Sequence, residues 1–192
     1  MLFGNAPIST TKLLRIVTSE IPARAKSEGR SDWTQAAKQV LYKLGKKRRF
    51  LPCASIHVGA GKHDEWLLDI VWYSVKGGIR LAVESEWGTL AHVLDDFEKL
   101  MCAKSPLKLM LFKSANTGHS TQEVVGQLEG YLADFRQNVQ GERYLLVDFI
   151  SGEHRCYELN LRRNGKQKRS EVKFSHVKSM SGPDTTGRRS PA

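Results

Sequence analysis

Trp66-Leu67-Leu68-Asp69-Ile70-Val71-Trp72-Tyr73, the turn Lys76-Gly77-Gly78, and the run from Ile79 to Val83-Glu84-Ser85-Glu86-Trp87 decide how this chain is read. Two apolar segments of strand length around a glycine turn predict a β-hairpin. Glu84 and Glu86 are two apart and therefore share one face of the second strand. Asp69 sits between Leu68 and Ile70, where an unpaired charge is expensive to bury. Hairpin pairing brings it beside the glutamates. Carboxylates about 6–7 Å apart repel by roughly 2–3 kcal/mol at an effective dielectric of 20, and a divalent cation removes that cost. Magnesium takes carboxylate oxygens and keeps waters for a substrate phosphate. Bound there, it polarises a phosphoryl oxygen and acidifies a water. Alternating acids also mark solvated sheet faces. The embedding of Asp69 and the amphipathic helix that follows favour a site.

Outward from the hairpin, residues 53–58 are β-prone and complete an antiparallel meander. Before them, residues 10–28 read as a helix in two pieces, interrupted at Pro22. Asp32 then reads as an N-cap with Gln35 as its capping-box partner. Ala36, Ala37, Val40, Leu41 and Leu44 make one apolar helix face that Gly45 stops. After the hairpin the period becomes 3.6: Leu90, Val93, Leu94, Phe97, Leu100 and Met101 share a face behind Thr89. Leu107 to Phe112 is a buried strand. Ser120-Thr121-Gln122-Glu123 is a capping box that opens a helix carrying Val124, Leu128, Tyr131, Leu132 and Phe135. Tyr144–Ile150 and Arg155–Leu161 are strands joined by a tight turn. This order predicts an α/β sandwich with a mixed sheet between helices.

A strand with Asp69, a turn, a strand with Val83-Glu84-Ser85-Glu86-Trp87, then a helix and another strand resembles the PD-(D/E)XK nuclease superfamily, over about residues 30–115. Leu68 stands where the family commonly has Pro, and Glu86 where it has Lys, so the second motif is E-x-E in place of E-x-K. The resemblance implies a restriction-endonuclease-like fold and metal-dependent hydrolysis of DNA phosphodiesters. Asp69 and Glu84 would hold Mg²⁺, with Mn²⁺ as a substitute, and Glu86 would be a ligand or the base for water. Glu20 and Glu28 are candidates for an additional acid from an early helix. Two sites are needed to cut both strands, which a homodimer would supply. The alternative is a non-catalytic DNA- or RNA-binding or assembly module on the same scaffold.

The charge agrees with a polyanionic partner. The 192 residues carry a net charge of +10, unevenly placed. Residues 24–49 hold nine Lys/Arg against two acids, as do residues 162–192, whereas residues 50–161 hold ten against fifteen. Such arms suit nucleic acid, most simply double-stranded DNA, because each phosphate contact releases a counterion. Lys46, Lys47, Arg48 and Arg49 in the first arm, and Arg162, Arg163, Lys166, Lys168 and Arg169 in the second, are the expected phosphate contacts. The reading divides the chain into an N-terminal helical part packing on the core (1–45), a nuclease-like core (46–164) and a basic flexible tail (165–192). No apolar run reaches the ~20 residues of a membrane span. With no secretory signal and with Cys53, Cys102 and Cys156 in no metal or disulfide pattern, a cytoplasmic location is expected. Asp95, Asp96 and Glu98 fall off the apolar stripe of their helix and are assigned to solvent. Trp66, Trp72 and Trp87 are assigned to packing before base stacking. Lys108 is expected to reach solvent along its stem.

Overall fold

The apolar residues Leu13, Val17, Ile21 and Ala25 recur every four positions and are all buried. They make one stripe of helix α1, Thr10–Ser27, which runs unbroken through Pro22. The expected interruption is absent. An interior proline costs about 3 kcal/mol, whereas each buried Leu, Val or Ile contributes about 1.5–3 kcal/mol, so the continuous stripe outweighs it. The structure is a computed structural model that describes residues 8–27, 33–54, 67–137, 139–161 and 167–172. Trp66, Glu28, Asp32, Arg162, Arg163 and Lys166, all singled out above, lie outside the described residues.

Helix α2, Trp33–Lys47, packs beside α1. It passes Gly45 rather than ending there. A Cβ at Gly45 would lie 2.7 Å from Trp72 Nε1 and 3.1 Å from Pro52 Cβ, so this glycine allows helix and sheet to touch. The helix ends two residues later. Arg49 takes a left-handed φ of 63°, its N–H donates to Lys46 O, and Phe50 N–H donates to Gly45 O. This is a Schellman ending with arginine where glycine is usual.

Seven strands follow in one sheet, ordered as in the sequence. They are β1 (Leu51–Ala54), β2 (Ile70–Ser74), β3 (Gly78–Glu86), β4 (Leu107–Phe112), β5 (Arg143–Ile150), β6 (Glu153–Leu161) and β7 (Gln167–Glu171). The first three form an antiparallel meander, with the first strand at 51–54; residues 55–58 of the segment expected at 53–58 lie outside the described residues. β3, β4 and β5 are parallel, as their helical crossovers require. β6 and β7 return antiparallel. Residues 167–171, read above as tail, are thus an edge strand, and Lys168 and Arg169 belong to the sheet. The tail reading failed because a polar edge strand carries no apolar alternation.

Helix α3 (Leu90–Cys102) crosses between β3 and β4. The short α4 (Ser114–Thr117) and α5 (Thr121–Asp134) connect β4 to β5. Ser120 and Glu123 form the predicted capping box. One apolar core lies between the sheet and α1/α2, and a second between the sheet and α3/α5. The architecture is therefore α/β, with a mixed sheet flanked by helices. No described helix is long and apolar enough to cross a membrane.

Candidate functional site

The sheet register sets Ile70 opposite Val83, so Asp69, just before β2, falls level with Glu84. Asp69 N–H donates to Glu84 Oε2 at 3.3 Å. The two carboxylates then diverge. Asp69 turns toward Ser85, whose N–H and Oγ–H both donate to its Oδ2, at 3.0 and 2.6 Å. Its Oδ1 lies 3.1 Å from Lys38 Nζ. Lys38 comes from α2 and is 4 % exposed.

Glu84 points to the other face, toward α3. It is 3 % exposed, and its Oε1 has no hydrogen-bond partner. Its pKa is pushed up to about 8, first by burial, then by the charges of Asp69 and Asp96, against the opposing pull of Lys99 and the Asp69 N–H. Asp96 and Lys99 sit on α3 and bond each other at 2.7 Å. Asp96 is therefore half-buried and turned to the glutamate. Its assignment to the solvated face is corrected. Asp95 and Glu98 are exposed.

Glu86 shares the face of Glu84, yet its Oε1 accepts from Gly88 N–H at 2.5 Å. A Cβ at Gly88 would meet Glu86 Oε1 at 2.7 Å and His92 Nδ1 at 3.2 Å, so the glycine makes room for both groups. Among the described residues no group of three or more His, Cys, Asp or Glu is arranged around a common point for a metal ion. Asp69 and Glu84 are brought together, while Glu86 is turned onto the adjoining loop. Glu20 is exposed on α1.

The site lies toward the carboxyl ends of β3, β4 and β5, where open α/β sheets place their ligands. Trp87 and Phe149 stand at this end and meet Trp33, with ring centroids 5.3–5.8 Å apart. Trp87 Nε1 donates to Thr34 Oγ1 at 2.8 Å. Nearby, Asp148 is fully buried and accepts from Ser114 N–H, Ser114 Oγ–H and Thr121 Oγ–H at 2.6–2.9 Å. It pins the loop after β4 to β5, and Asn116 ties the same loop to Trp87 O. Trp72 is buried, stacked on Phe50 and donating to Leu41 O, which makes it a packing residue.

The basic residues lie elsewhere. Lys46, Lys47, Arg48 and Arg49 precede β1, whose Leu51 is level with Tyr73 and Ile79. Ile79 is five residues back from Glu84, about 16 Å along the strand. Arg169 is on β7 and pairs with Glu129 at 3.2 Å. Lys168 is exposed beside it. None of these described groups reaches the carboxylates.

Sequence reasoning missed Lys38, Ser85 and Asp96. Only Lys38 carried a signal: it falls within the buried stretch of α2, next to Ala36 and Ala37. Compared with known proteins, the chain matches no family model and no curated relative.

Proposed function

We propose that the protein is a Mg²⁺-dependent nuclease of the PD-(D/E)XK type, hydrolysing DNA phosphodiesters at Asp69 and Glu84. The observation that carries this reading is Glu84 Oε1. A carboxylate oxygen sealed from water and left without a partner costs several kcal/mol in the charged form, and a cation beside it offsets that cost. The sequence of elements from α2 through β1, β2, β3 and α3 to β4 supports it, because it is the order the resemblance implies.

The residues fit a hard ion of this kind. Glu84 Oε1 lacks a partner, Asp69 Oδ1 keeps a lone pair beside its contact with Lys38, and Mg²⁺ asks for one or two protein carboxylates with water completing its shell. When bound, the ion would lower the pKa of a water and neutralise charge on the phosphoryl group. Lys38 supplies the positive charge that Glu86 does not. From α2 it holds Asp69 in place. Ser85 fixes the other Asp69 oxygen. Glu86 and His92, side by side at Gly88, are the groups available to take a proton from water.

Incubation of the protein with duplex DNA and Mg²⁺ or Mn²⁺ tests the proposal. Cleavage that disappears in Glu84→Ala and Asp69→Ala supports it. Cleavage unchanged in Glu84→Ala, or absent from the wild type with both metals, overturns it. The engagement of Glu86 with Gly88 favours a second reading, a nucleic-acid-binding module without cleavage. In that case DNA binds, but millimolar Mg²⁺ or Ca²⁺ leaves the melting temperature unmoved.

A further inference from the structure

At the end of the sheet away from Glu84, a cavity of about 210 Å³ opens between the start of α1, β3, and the segments leading into β4 and β5. Phe50, Trp72, Leu81 and Leu107 make its apolar wall, and among the described residues Arg80 and Arg143 are its charged lining residues. Arg143 is held by Glu158 at 2.7 Å and by Thr10 Oγ1, so part of its charge is offset and its guanidinium is fixed in orientation. Arg80 is exposed and makes no hydrogen bond or ion pair among the described residues. The basic end of α2 leads directly into Phe50.

An apolar recess with a fixed guanidinium and an uncompensated one at its rim suits an anion that carries an apolar or planar body. Arginine is the residue that recognises phosphate by paired N–H donors. The volume is below the ~300 Å³ at which drug-sized ligand pockets begin, so it admits about one ring rather than a dinucleotide. We propose that this cavity binds a phosphate monoester, its organic part against Leu81, Leu107 and Phe50 and its phosphate at Arg80 and Arg143. A free nucleotide and the phosphorylated end of a nucleic-acid strand share this chemistry. Arg80 is four residues from Glu84 along β3, about 13 Å, so the site is separate from the carboxylates and does not depend on cleavage.

Calorimetric titration of the full chain in EDTA, which removes any metal-dependent binding, tests this. The probes are thymidine 5′-monophosphate, thymidine, inorganic phosphate, and single strands of one sequence with a 5′-phosphate or a 5′-hydroxyl. Saturable binding of the monophosphate is expected, with thymidine and phosphate each weaker by about tenfold or more, the size of one lost charged hydrogen bond. Arg80→Ala should weaken it to a similar degree, and Leu107→Trp should abolish it by filling the recess with the charges intact. A preference for the 5′-phosphorylated strand identifies a strand end as the ligand; equal binding of the two strands identifies the free nucleotide. If the monophosphate does not bind at millimolar concentration, or binds equally to wild type and Arg80→Ala, the site does not exist. Because Arg80 is exposed, that variant decides the matter even if Leu107→Trp does not fold.

Discussion

Two buried charged clusters lie on the α3/α5 side of the sheet, and they are built to opposite specifications. Around Lys108, which is fully buried, every group is matched. Its Nζ donates to Glu142 Oε2 at 2.7 Å, Tyr144 OH at 2.9 Å and Met101 O at 3.2 Å, and it stands 4.6 Å from the centre of the Tyr144 ring. An ammonium has three donors, and all three are used. Burial lowers the Lys108 pKa while Glu142 opposes that shift, and burial raises Tyr144. Around Glu84 the burial is similar, yet one oxygen is unmatched and like charges stand nearby. A satisfied network fixes structure; an unsatisfied one stores free energy that a ligand can release. The difference separates a structural cluster from a candidate site when both look alike in composition.

The largest effect expected from this contrast is at Glu84. Glu84→Gln keeps the shape and removes the charge, so DNA cleavage should fall below detection while the metal-free melting temperature holds or rises. A large loss of stability in this variant would mean that the carboxylate is a structural group after all. Glu142→Ala should do the reverse. It strands a buried ammonium, and urea denaturation should show a loss of about 3–5 kcal/mol, with cleavage persisting at temperatures where the variant is folded. Equal stability of wild type and Glu142→Ala would remove the distinction between the clusters.

A subtler test uses pH. Glu84 has its folded pKa raised to about 8 from an ordinary 4.5. The folded state therefore binds the proton more tightly. The stability this contributes is fully present below about pH 4.5 and is lost as pH rises through about 8. Metal-free stability should thus decline across that window more in wild type than in Glu84→Gln, and Mg²⁺ should flatten the wild-type decline. Identical pH profiles in EDTA would show that Glu84 is not buried as a carboxyl. The smallest effect is away from both clusters. Arg49→Gly relieves a non-glycine left-handed residue at the end of α2 and should add roughly 1 kcal/mol, read as a shift in the urea midpoint with an unchanged slope. A loss of stability would show that the Arg49 side chain contributes more than its backbone costs.

The meander, the buried strand Leu107–Phe112 and the capping box at Ser120 were legible because each rests on local periodicity or on a four-residue hydrogen-bond pattern. The proximity of Asp69 and Glu84 followed from hairpin pairing. What was not legible depended on contacts distant in sequence. Lys108 was expected to reach water, because nothing near it announces Glu142 and Tyr144, which arrive just before and within the next parallel strand. The place of Lys38 beside Ala36 and Ala37 marked it as buried, but nothing in the sequence named its partner Asp69, 31 positions away. α1 was expected to break at Pro22, because the sequence displays the proline but not the sheet that holds the helix together around it. The rotation of Glu86 onto Gly88 is a rotamer choice, which no spacing rule encodes.

Gly45 and Lys38 are seven residues apart on α2, two turns along nearly the same line of the helix and about 10 Å from one another. At one end a bare Cα rests against the Trp72 indole; at the other an ammonium meets Asp69. The helix is in effect a lever whose fulcrum is a missing methyl group. Installing that methyl as Gly45→Ala would push α2 off the sheet by tenths of an ångström or more and roll it about its axis. The ammonium would be displaced with it, so the aim of Lys38 is calibrated two turns away, at a position with no chemistry of its own.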